Sequence, residues 1–315
     1  MKTIFITGGS GTVGSCFIEY NFKKYTIYSY SRNEKSQVAL KRRFPSVNII
    51  LGSVEDKLNL ENSIRSVRPD IIIHAAALKH VDSAEKHPRE MVKSNIIGSK
   101  NIIEASINLN VPITIGISTD KACNPNNLYG YSKKIMEKMF IEANNEKNIF
   151  CCTRFGNVAG SNGSVIPFWI NCKNEEKPLP ITDLKMTRLM LNGREVSLII
   201  EKCIEECKNK TGGFILSKLM KKILLKDLAN EISKKIEIIG LRPGEELSEN
   251  LISNQELKYT RLEKDFIFIN KTINTNINSR LSESLSSDNA TLMNPNELKE
   301  MISYVRERMI NTLTY

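Results

Sequence analysis

The chain of 315 residues has no long apolar run. None approaches the ~20 residues that a helix needs to span a bilayer. The apolar stretch Ile4-Phe5-Ile6 at the N-terminus stops at Gly8, which is too short for the apolar core of a signal peptide. The pattern predicts a cytoplasmic protein without a membrane partner.

Metal-ligand patterns are also missing. The seven cysteines form no Cys-x-x-Cys pair, and no histidine stands near Cys203 and Cys207, which are one helical turn apart. An odd number of cysteines without paired spacing is typical of a reduced, cytosolic protein rather than of a disulfide framework. We therefore predict no metal site.

Aromatic residues are scarce, whereas positive charge is abundant. Phe, Trp and Tyr make up 7% of the chain, and Lys plus Arg exceed Asp plus Glu by 45 − 35 = 10. Such an excess is compatible with a nucleic acid, a membrane surface or a polyanionic small molecule as partner. Composition alone does not choose among these three.

Short apolar runs alternate with amphipathic stretches through the first half of the chain. The stretches predict helices near residues 12–22, 34–44, 56–67, 89–109 and 128–147. The runs predict strands at Thr3–Thr7, Tyr25–Tyr30, Val47–Leu51, Asp70–His74, Ile113–Ser118 and Phe150–Thr153. Repeated strand–helix–strand units with continuously apolar strands are typical of a parallel sheet covered on both faces. The predicted class is α/β, with a Rossmann-type doubly wound parallel sheet.

The regular alternation ends after Gly160, where prolines and short irregular pieces follow. We expect a dinucleotide-binding domain over residues 1–166 and a smaller, irregular α/β substrate domain over residues 167–315. A helical run near 193–208 is expected to return to the first domain. The second domain would close over the edge of the first.

The first predicted strand ends in a glycine-rich loop, Thr7-Gly8-Gly9-Ser10-Gly11-Thr12-Val13-Gly14. Glycines at this spacing allow a tight turn and a close approach of a pyrophosphate, and the helix that follows supplies free N–H groups. Because the loop follows a strand and precedes a helix, it predicts a dinucleotide site rather than a plain turn.

The second predicted strand ends in Tyr30-Ser31-Arg32-Asn33-Glu34-Lys35. An NAD enzyme usually places an acidic side chain here, against the ribose hydroxyls. Ser31, Arg32 and Lys35 can instead pair with a 2′-phosphate, and we expect no carboxylate where it would repel one. The segment favours NADP over NAD, the alternative interpretation being a solvated basic loop.

Tyr129 and Lys133 are four residues apart at the start of a predicted helix, so they share a face. A lysine ammonium beneath the tyrosine hydroxyl would lower the pKa of the phenol, which makes Tyr129 a candidate base for a carbinol proton. Thr119, Asp120 and Lys121 come just before this pair, after the fifth predicted strand.

With these motifs in this order, the chain resembles the extended short-chain dehydrogenase/reductase family. Within it, the chain is similar to the C5-inverting UDP-N-acetylglucosamine 4,6-dehydratases of the pseudaminic-acid and capsule type (PseB, CapD and CapE). The most discriminating segment is Thr119-Asp120-Lys121, because other sugar-nucleotide dehydratases carry Asp-Glu there. Further matching segments are His74–Val81, Arg154–Val158, Gly163–Phe168, Ile181–Asp183, Met186–Arg188 and Gly240–Glu245.

The resemblance implies a hydro-lyase of surface-sugar biosynthesis that forms a homo-oligomer. It assigns Asp120 as the acid at the C6 hydroxyl and Lys121 as the base at C5, with Tyr129 and Lys133 completing the catalytic set. These roles need a protonated Asp120 and a neutral Lys121. Burial would raise the pKa of the aspartate, and a poorly solvated site near Lys133 would lower the pKa of Lys121.

The residues expected to hold ligands fall into two groups. Toward the cofactor they are Gly8, Ser10, Gly11, Thr12, Val13, Gly14, Ser31, Arg32, Lys35, Ser53, Val54, Ala75, Ala76, Ala77, Lys79, Tyr129 and Lys133. Toward the UDP-sugar they are Lys79, Thr119, Asn157, Gly163, Ser164, Val165, Ile166, Thr182, Arg188, Arg242 and Glu245. Ser53, Asn162, Glu246 and Ser248 depart from the family's usual Asp, Arg, Lys and His, so adenine and substrate contacts are expected to differ there.

Two other interpretations stay open. One is a C5-retaining 4,6-dehydratase or a C4-epimerase of a UDP-sugar, although pure epimerisation needs no acid at C6 and so does not explain Asp120. The other is a non-catalytic nucleotide-sensing or RNA-binding protein on the same fold. That would predict loss of Tyr129 or Lys133 and a clustered aromatic and basic surface, and the sequence shows neither. The positive charge therefore indicates a phosphorylated small molecule rather than a nucleic acid.

Overall fold

The computed structural model describes residues 1–270 and 281–313. The strands are β1 Thr3–Thr7, β2 Thr26–Ser31, β3 Asn48–Leu51, β4 Ile71–His74, β5 Ile113–Ile117, β6 Ile149–Thr153, β7 Asn157–Val158, β8 Leu179–Ile181, β9 Thr187–Leu191, β10 Ile215–Lys218, β11 Lys221–Leu224, β12 Ile236–Ile238, β13 Asn250–Ile252, β14 Thr260–Glu263, β15 Phe266–Ile269 and β16 Leu285–Ser286. The α-helices are α1 Thr12–Asn21, α2 Glu34–Arg43, α3 Lys57–Val67, α4 Val81–Lys86, α5 Pro88–Met91, α6 Gly98–Asn108, α7 Leu128–Ala143, α8 Val165–Asn174, α9 Gly193–Lys208, α10 Leu225–Ile232 and α11 Pro295–Leu313.

A nine-stranded sheet runs through the centre of the molecule in the order β14-β15-β10-β6-β5-β4-β1-β2-β3. The pairings from β3 to β10 are parallel, and β15 and β14 add antiparallel strands at one edge. The six predicted strands of the first half are confirmed, with bounds that differ by at most one residue. The Rossmann-type sheet is therefore confirmed as well.

The central strands are apolar along their whole length because helices cover both faces of the sheet. Ile4-Phe5-Ile6 and Ile71-Ile72-Ile73 are all fully buried. The chain runs from β1 outward through β2 to β3, and then returns to β4 on the other side of β1. At such a switch point, ligands bind beyond the carboxyl ends of the strands.

Helix α9 packs against α1 and β6, although it lies in the second half of the chain. A capping box opens it, in which Asn192 and Glu195 each bond the other's backbone N–H. Where α9 meets β6, the Sγ of Cys151 lies 3.2 Å from that of Cys203 and 3.1 Å from that of Cys207. The sequence spacing indicated that Cys203 and Cys207 lie close together, but it did not indicate that Cys151 joins them. The absence of a metal stays a prediction.

Three strands from the second half, β10, β14 and β15, join the large sheet. The sequence pattern did not indicate this, because short strands at a sheet edge are paired by contacts that are remote along the chain. A second apolar cluster, around Trp169, Ile181 and Leu228, lies among α8, β8 and α10. Among the described residues, no helix combines the length and the apolarity needed to cross a membrane.

Candidate active site

The glycine loop follows β1 and leads directly into α1. Gly8 has φ +69°, and a Cβ built there would lie 2.7 Å from the backbone nitrogen of Ala76, so a side chain does not fit. Gly11 precedes α1 and provides no side-chain cap, which leaves the N–H groups of the first turn, including those of Val13 and Gly14, without an intrahelical acceptor. Such a cradle fits a phosphate group.

A cleft of about 500 Å³ opens beside this loop. Ser10, Gly11 and Thr12 line one side, and Asn162 and Gly163 line the other. The backbone N–H of Asn162 donates to the Thr12 hydroxyl at 3.2 Å, so the segment that leads into α8 contacts the glycine loop directly. Of the other predicted cofactor residues, Ala75, Ala76, Ala77 and Lys79 follow β4, and Ser53 and Val54 follow β3.

The end of β2 carries a charge arrangement that differs from the expected one. Ser31 accepts a hydrogen bond from the Ser10 hydroxyl at 3.0 Å, but Arg32 lies 3.2 Å from the carboxylate of Glu55 in an exposed ion pair. The expectation of no carboxylate at this position is wrong. Glu55 comes from the loop after β3, whose carboxyl end lies beside that of β2 in a parallel sheet. Lys35 stands exposed in the first turn of α2.

Asp120 lies at the carboxyl end of β5, in a 3₁₀ turn over Asp120–Ala122. Helix α7 begins directly against this turn, since a Cβ on Gly130 would lie 2.5 Å from the carbonyl oxygen of Lys121. The Asn127 side chain caps the helix by accepting from the N–H of Gly130 at 2.9 Å. Turn and helix therefore bring Tyr129 into the electrostatic surroundings of Asp120 and Lys121.

The Asp120 carboxyl is fully buried, and its two oxygens differ. Oδ1 accepts from the Thr119 hydroxyl and from the Lys121 N–H, both at 2.9 Å. Oδ2 accepts no N–H or O–H donor from the described residues, and the carboxyl group lies within hydrogen-bonding reach of the Glu249 carboxylate. Burial and the nearby charge of Glu249 raise the pKa of Asp120 to about 7. The predicted direction of this pKa shift is confirmed.

Lys121 has a partner that the sequence analysis missed. Its Nζ lies 3.2 Å from Asp120 Oδ1 and 2.8 Å from the carboxylate of Glu249, 128 residues further along the chain. Although burial lowers the pKa of Lys121, the charges of Asp120 and Glu249 raise it above its ordinary value. The expected lowering of the Lys121 pKa is therefore wrong, because the two neighbouring carboxylates outweigh burial. Nothing in the local sequence around Glu249 pointed to this contact.

Tyr129 and Lys133 also differ from expectation. Burial raises the pKa of Tyr129 to about 12, against the opposing charge of Lys121. Burial lowers the pKa of Lys133 to about 8, and its Nζ contacts the Met136 sulfur at 3.1 Å. The expected lowering of the Tyr129 pKa by Lys133 is wrong, because the desolvation of the phenol is the largest effect on this group and raises its pKa.

A cavity of about 250 Å³ lies between β7, α8 and the loop after β12. Nine of the eleven residues predicted to bind the UDP-sugar line it: Asn157, Gly163, Ser164, Val165, Ile166, Thr182, Arg188, Arg242 and Glu245. Apolar side chains that the sequence analysis did not select, Phe168, Trp169, Met186 and Met190, complete the wall. The two predicted residues outside it are Thr119 and Lys79. Thr119 directly precedes the turn Asp120–Ala122, called the catalytic turn below, and Lys79 is a half-buried residue whose pKa is lowered by burial.

The two arginines of this cavity are held differently. Arg188 is mostly buried, donates to the carbonyl oxygen of Thr187 at 2.7 Å and places Nε 3.4 Å from Glu249. Arg242 is half exposed and lies 3.8 Å from Asp82. Two guanidinium groups that line one cavity are suited to a diphosphate, since each fork can bind two oxygens.

Comparison with known proteins places the chain in a family. A family model described as "Polysaccharide biosynthesis protein" matches residues 4–271. The chain belongs to this family. It is 36% identical to a UDP-N-acetylglucosamine 4,6-dehydratase (inverting) of Campylobacter jejuni, over 96% of this chain and 98% of that protein. It is 32% identical to a UDP-glucose 4-epimerase of Rickettsia massiliae, over 98% of each chain.

Solved structures agree with the fold of this family member. The X-ray structure of Pen from Bacillus thuringiensis has a TM-score of 0.88 and 29% identity, and the match covers 97% of this chain and 98% of that one. UDP-glucose 4-epimerase from Thermotoga maritima, solved with UDP-glucose, has a TM-score of 0.72 and 19% identity, with 98% of this chain and 99% of that one covered. The second likeness shows the fold alone.

Proposed function

We propose that this protein is a UDP-N-acetylglucosamine 4,6-dehydratase that inverts C5 and forms a UDP-2-acetamido-2,6-dideoxy-L-hexos-4-ulose for surface-sugar biosynthesis. The observation that carries the proposal is the buried Asp120 carboxyl, which has one oxygen that accepts no donor from the described residues and a pKa near neutrality, next to Lys121 and Tyr129. The similarity to inverting dehydratases of Campylobacter jejuni over nearly the whole chain supports it.

The catalytic residues would act in sequence on the sugar. Tyr129, once its phenol has given up its own proton, takes the proton of the C4 hydroxyl as C4 becomes a ketone, which acidifies the hydrogen on C5. Lys121, once it has given up its own proton, takes the C5 proton, while Asp120 gives its proton to the C6 hydroxyl, so that the C6–O bond breaks and water leaves. Return of a proton to C5 on the opposite face inverts that centre.

The nucleotide part of the substrate would occupy the cavity that Arg188 and Arg242 share with Asn157. Both guanidinium groups can bind the diphosphate. Asn157 also donates from Nδ2 to Glu249 at 3.4 Å, and Glu249 in turn accepts from Lys121 of the catalytic turn. The cavity and the catalytic turn are therefore adjacent. A sugar attached to a bound diphosphate therefore has a short path to Asp120.

The glycine cradle at Gly8 and the uncapped start of α1 fit the pyrophosphate of a nicotinamide dinucleotide. When bound, this cofactor would supply a hydride acceptor for C4 and a hydride donor for C6. We favour NADP, with Arg32 and Lys35 toward the 2′-phosphate. Exposed ion pairs contribute only about 0–1 kcal/mol, so the pairing with Glu55 is weak enough for Arg32 to exchange it for a phosphate.

Epimerisation of a UDP-sugar at C4 is the second candidate function, because Rickettsia UDP-glucose 4-epimerases are also 30–32% identical to this chain. An epimerase needs no proton donor at C6. The protonated Asp120 beside Lys121 therefore favours the dehydratase. Cytoplasmic location and a homo-oligomeric state stay predictions.

Incubation of the enzyme and NADP with UDP-N-acetylglucosamine in heavy water tests the proposal. We expect a product that has lost water, carries deuterium at C5 and has L-geometry by NMR. Deuterium at C5 with retained D-geometry would indicate the retaining dehydratase, and a C4-epimer as sole product would refute dehydration. Lys121→Ala should abolish water loss, with Lys258→Ala, on the remote 3₁₀ turn Leu257–Tyr259, as matched control.

A further inference from the structure

Glu249 is held rigidly at the edge of the catalytic turn. It directly precedes β13 and is only 8% exposed. Its N–H donates to the Ser287 hydroxyl at 2.9 Å, and its carbonyl oxygen accepts from the Ser287 N–H at 2.9 Å. The same hydroxyl lies 2.9 Å from that of Thr187, the residue before Arg188. The backbone that carries the Glu249 carboxylate is therefore fixed on both sides.

The carboxylate of Glu249 meets donors from three separate parts of the chain. Lys121 Nζ lies at 2.8 Å, Arg188 Nε at 3.4 Å and Asn157 Nδ2 at 3.4 Å. One anion thus bridges the catalytic lysine and two residues of the substrate cavity. Desolvation of a carboxylate is costly unless such partners compensate for it, which explains why two cations converge on it.

We propose that Glu249 is a positioning residue for the elimination step, which anchors Lys121 beside Asp120 and carries the negative charge of the carboxylate pair, so that Asp120 holds the proton. The inference rests on the proposed function. It accounts for the difference between the two carboxylates, since Glu249 lies between the cations Lys121 and Arg188 whereas Asp120 contacts Lys121 alone of these two.

The charges that face Glu249 support this division. Although burial opposes it, the charges of Lys121 and Arg188 lower the pKa of Glu249 to about 2. Asp120 has the opposite shift, to about 7, since burial and the charge of Glu249 disfavour a second anion. Tyr129 is the other titratable group in this set, and its pKa of about 12 keeps it neutral at these pH values. The shared proton therefore remains on Asp120.

The same contacts explain how an occupied cavity would be connected to the catalytic turn. Arg188 and Asn157 line the substrate cavity and also contact Glu249. A ligand that moves either side chain would therefore act on the position of Glu249 and, through it, on that of Lys121.

The test compares Glu249→Gln, Glu249→Asp and, as a matched control, Glu263→Gln on the remote strand β14, all with bound NADP. Water loss from UDP-N-acetylglucosamine gives kcat and KM. Infrared difference spectra, with Asp120→Asn as reference, follow the protonated carboxyl of Asp120 against pH.

We expect Glu249→Gln to lose about 100-fold in kcat with little change in KM, and its Asp120 band to disappear at lower pH than in the wild type. The band shifts in that direction because the neighbouring negative charge, which raises the Asp120 pKa, has gone.

Glu249→Asp retains the charge on a shorter side chain, so it should keep the Asp120 titration close to that of the wild type and lose less activity. Wild-type kcat in either variant, or an unchanged Asp120 titration in Glu249→Gln, would overturn the proposal. If Glu249→Gln does not fold by thermal unfolding, the kcat of Glu249→Asp carries the test. Failure of the wild type to release water would refute the proposed function instead, and the Asp120 titration would still decide whether Glu249 controls that proton.

Discussion

The glycine loop and the cluster of Asp120, Lys121 and Glu249 lie beyond the carboxyl ends of strands in the same sheet, yet they are built in opposite ways. The loop is made of backbone: Gly8 and Gly11 supply space and free N–H groups, and no charged side chain takes part. The cluster is made of side-chain charges, and its third member lies 128 residues from Lys121 along the chain. A site built from contiguous backbone is visible in a sequence, whereas the protonation states of a cluster depend on partners that only the fold brings in.

The largest effect expected is the loss of elimination in Asp120→Asn. Because the amide cannot give its proton to the C6 hydroxyl, we expect kcat for water loss to fall by about 10²–10⁴-fold. Affinity for NADP, measured by fluorescence titration, should be unchanged. Asp265→Asn, in the exposed turn between β14 and β15, is the control. If Asp120→Asn also lost affinity for NADP, the charged cluster and the glycine loop would not act independently.

Gly8→Ala should act on the other region. A methyl group there meets the nitrogen of Ala76 at 2.7 Å with φ at +69°, so we expect a loss of stability of about 1–3 kcal/mol and weaker NADP binding. Thermal unfolding and cofactor titration measure the two effects. Gly240→Ala is the matched control, since its φ is +80° but no atom lies within 4 Å of the added carbon. Equal losses in both variants would show that backbone strain, and not crowding of the cradle, is responsible.

A smaller effect is expected at the end of β2, where charge supplements the backbone site. Arg32→Ala should weaken NADP binding by about 1 kcal/mol, since the side chain is exposed, and leave NAD binding unaffected. Glu55→Gln releases Arg32 from its exposed ion pair and should strengthen NADP by at most about 1 kcal/mol. Both are read as the ratio of NADP and NAD affinities, with Glu61→Gln on α3 as control. If the ratio of NADP to NAD affinity is unchanged in Arg32→Ala, Arg32 does not contact the 2′-phosphate.

Local patterns predicted the strands β1–β6 well, above all the central strands β1, β4, β5 and β6, which are almost wholly buried. The same kind of information located the loop at Gly8, the Tyr129–Lys133 pair and most of the residues that line the substrate cavity. Glu249 could not be found in this way, since its importance arises from the distance to Lys121. The pKa shifts of Lys121 and Tyr129 were wrong for a related reason: the sequence identified the groups but not the balance between burial and neighbouring charge.

The addition of β10, β14 and β15 to the large sheet has a consequence for how the molecule can be divided. Strand β6 bonds to β10 along one side, so a fragment that ended at residue 166 would leave β6 as an unprotected edge and would also lose α9, which covers β5 and β6. The later segments complete the sheet, so we expect that the part that would bind the cofactor needs them in order to fold.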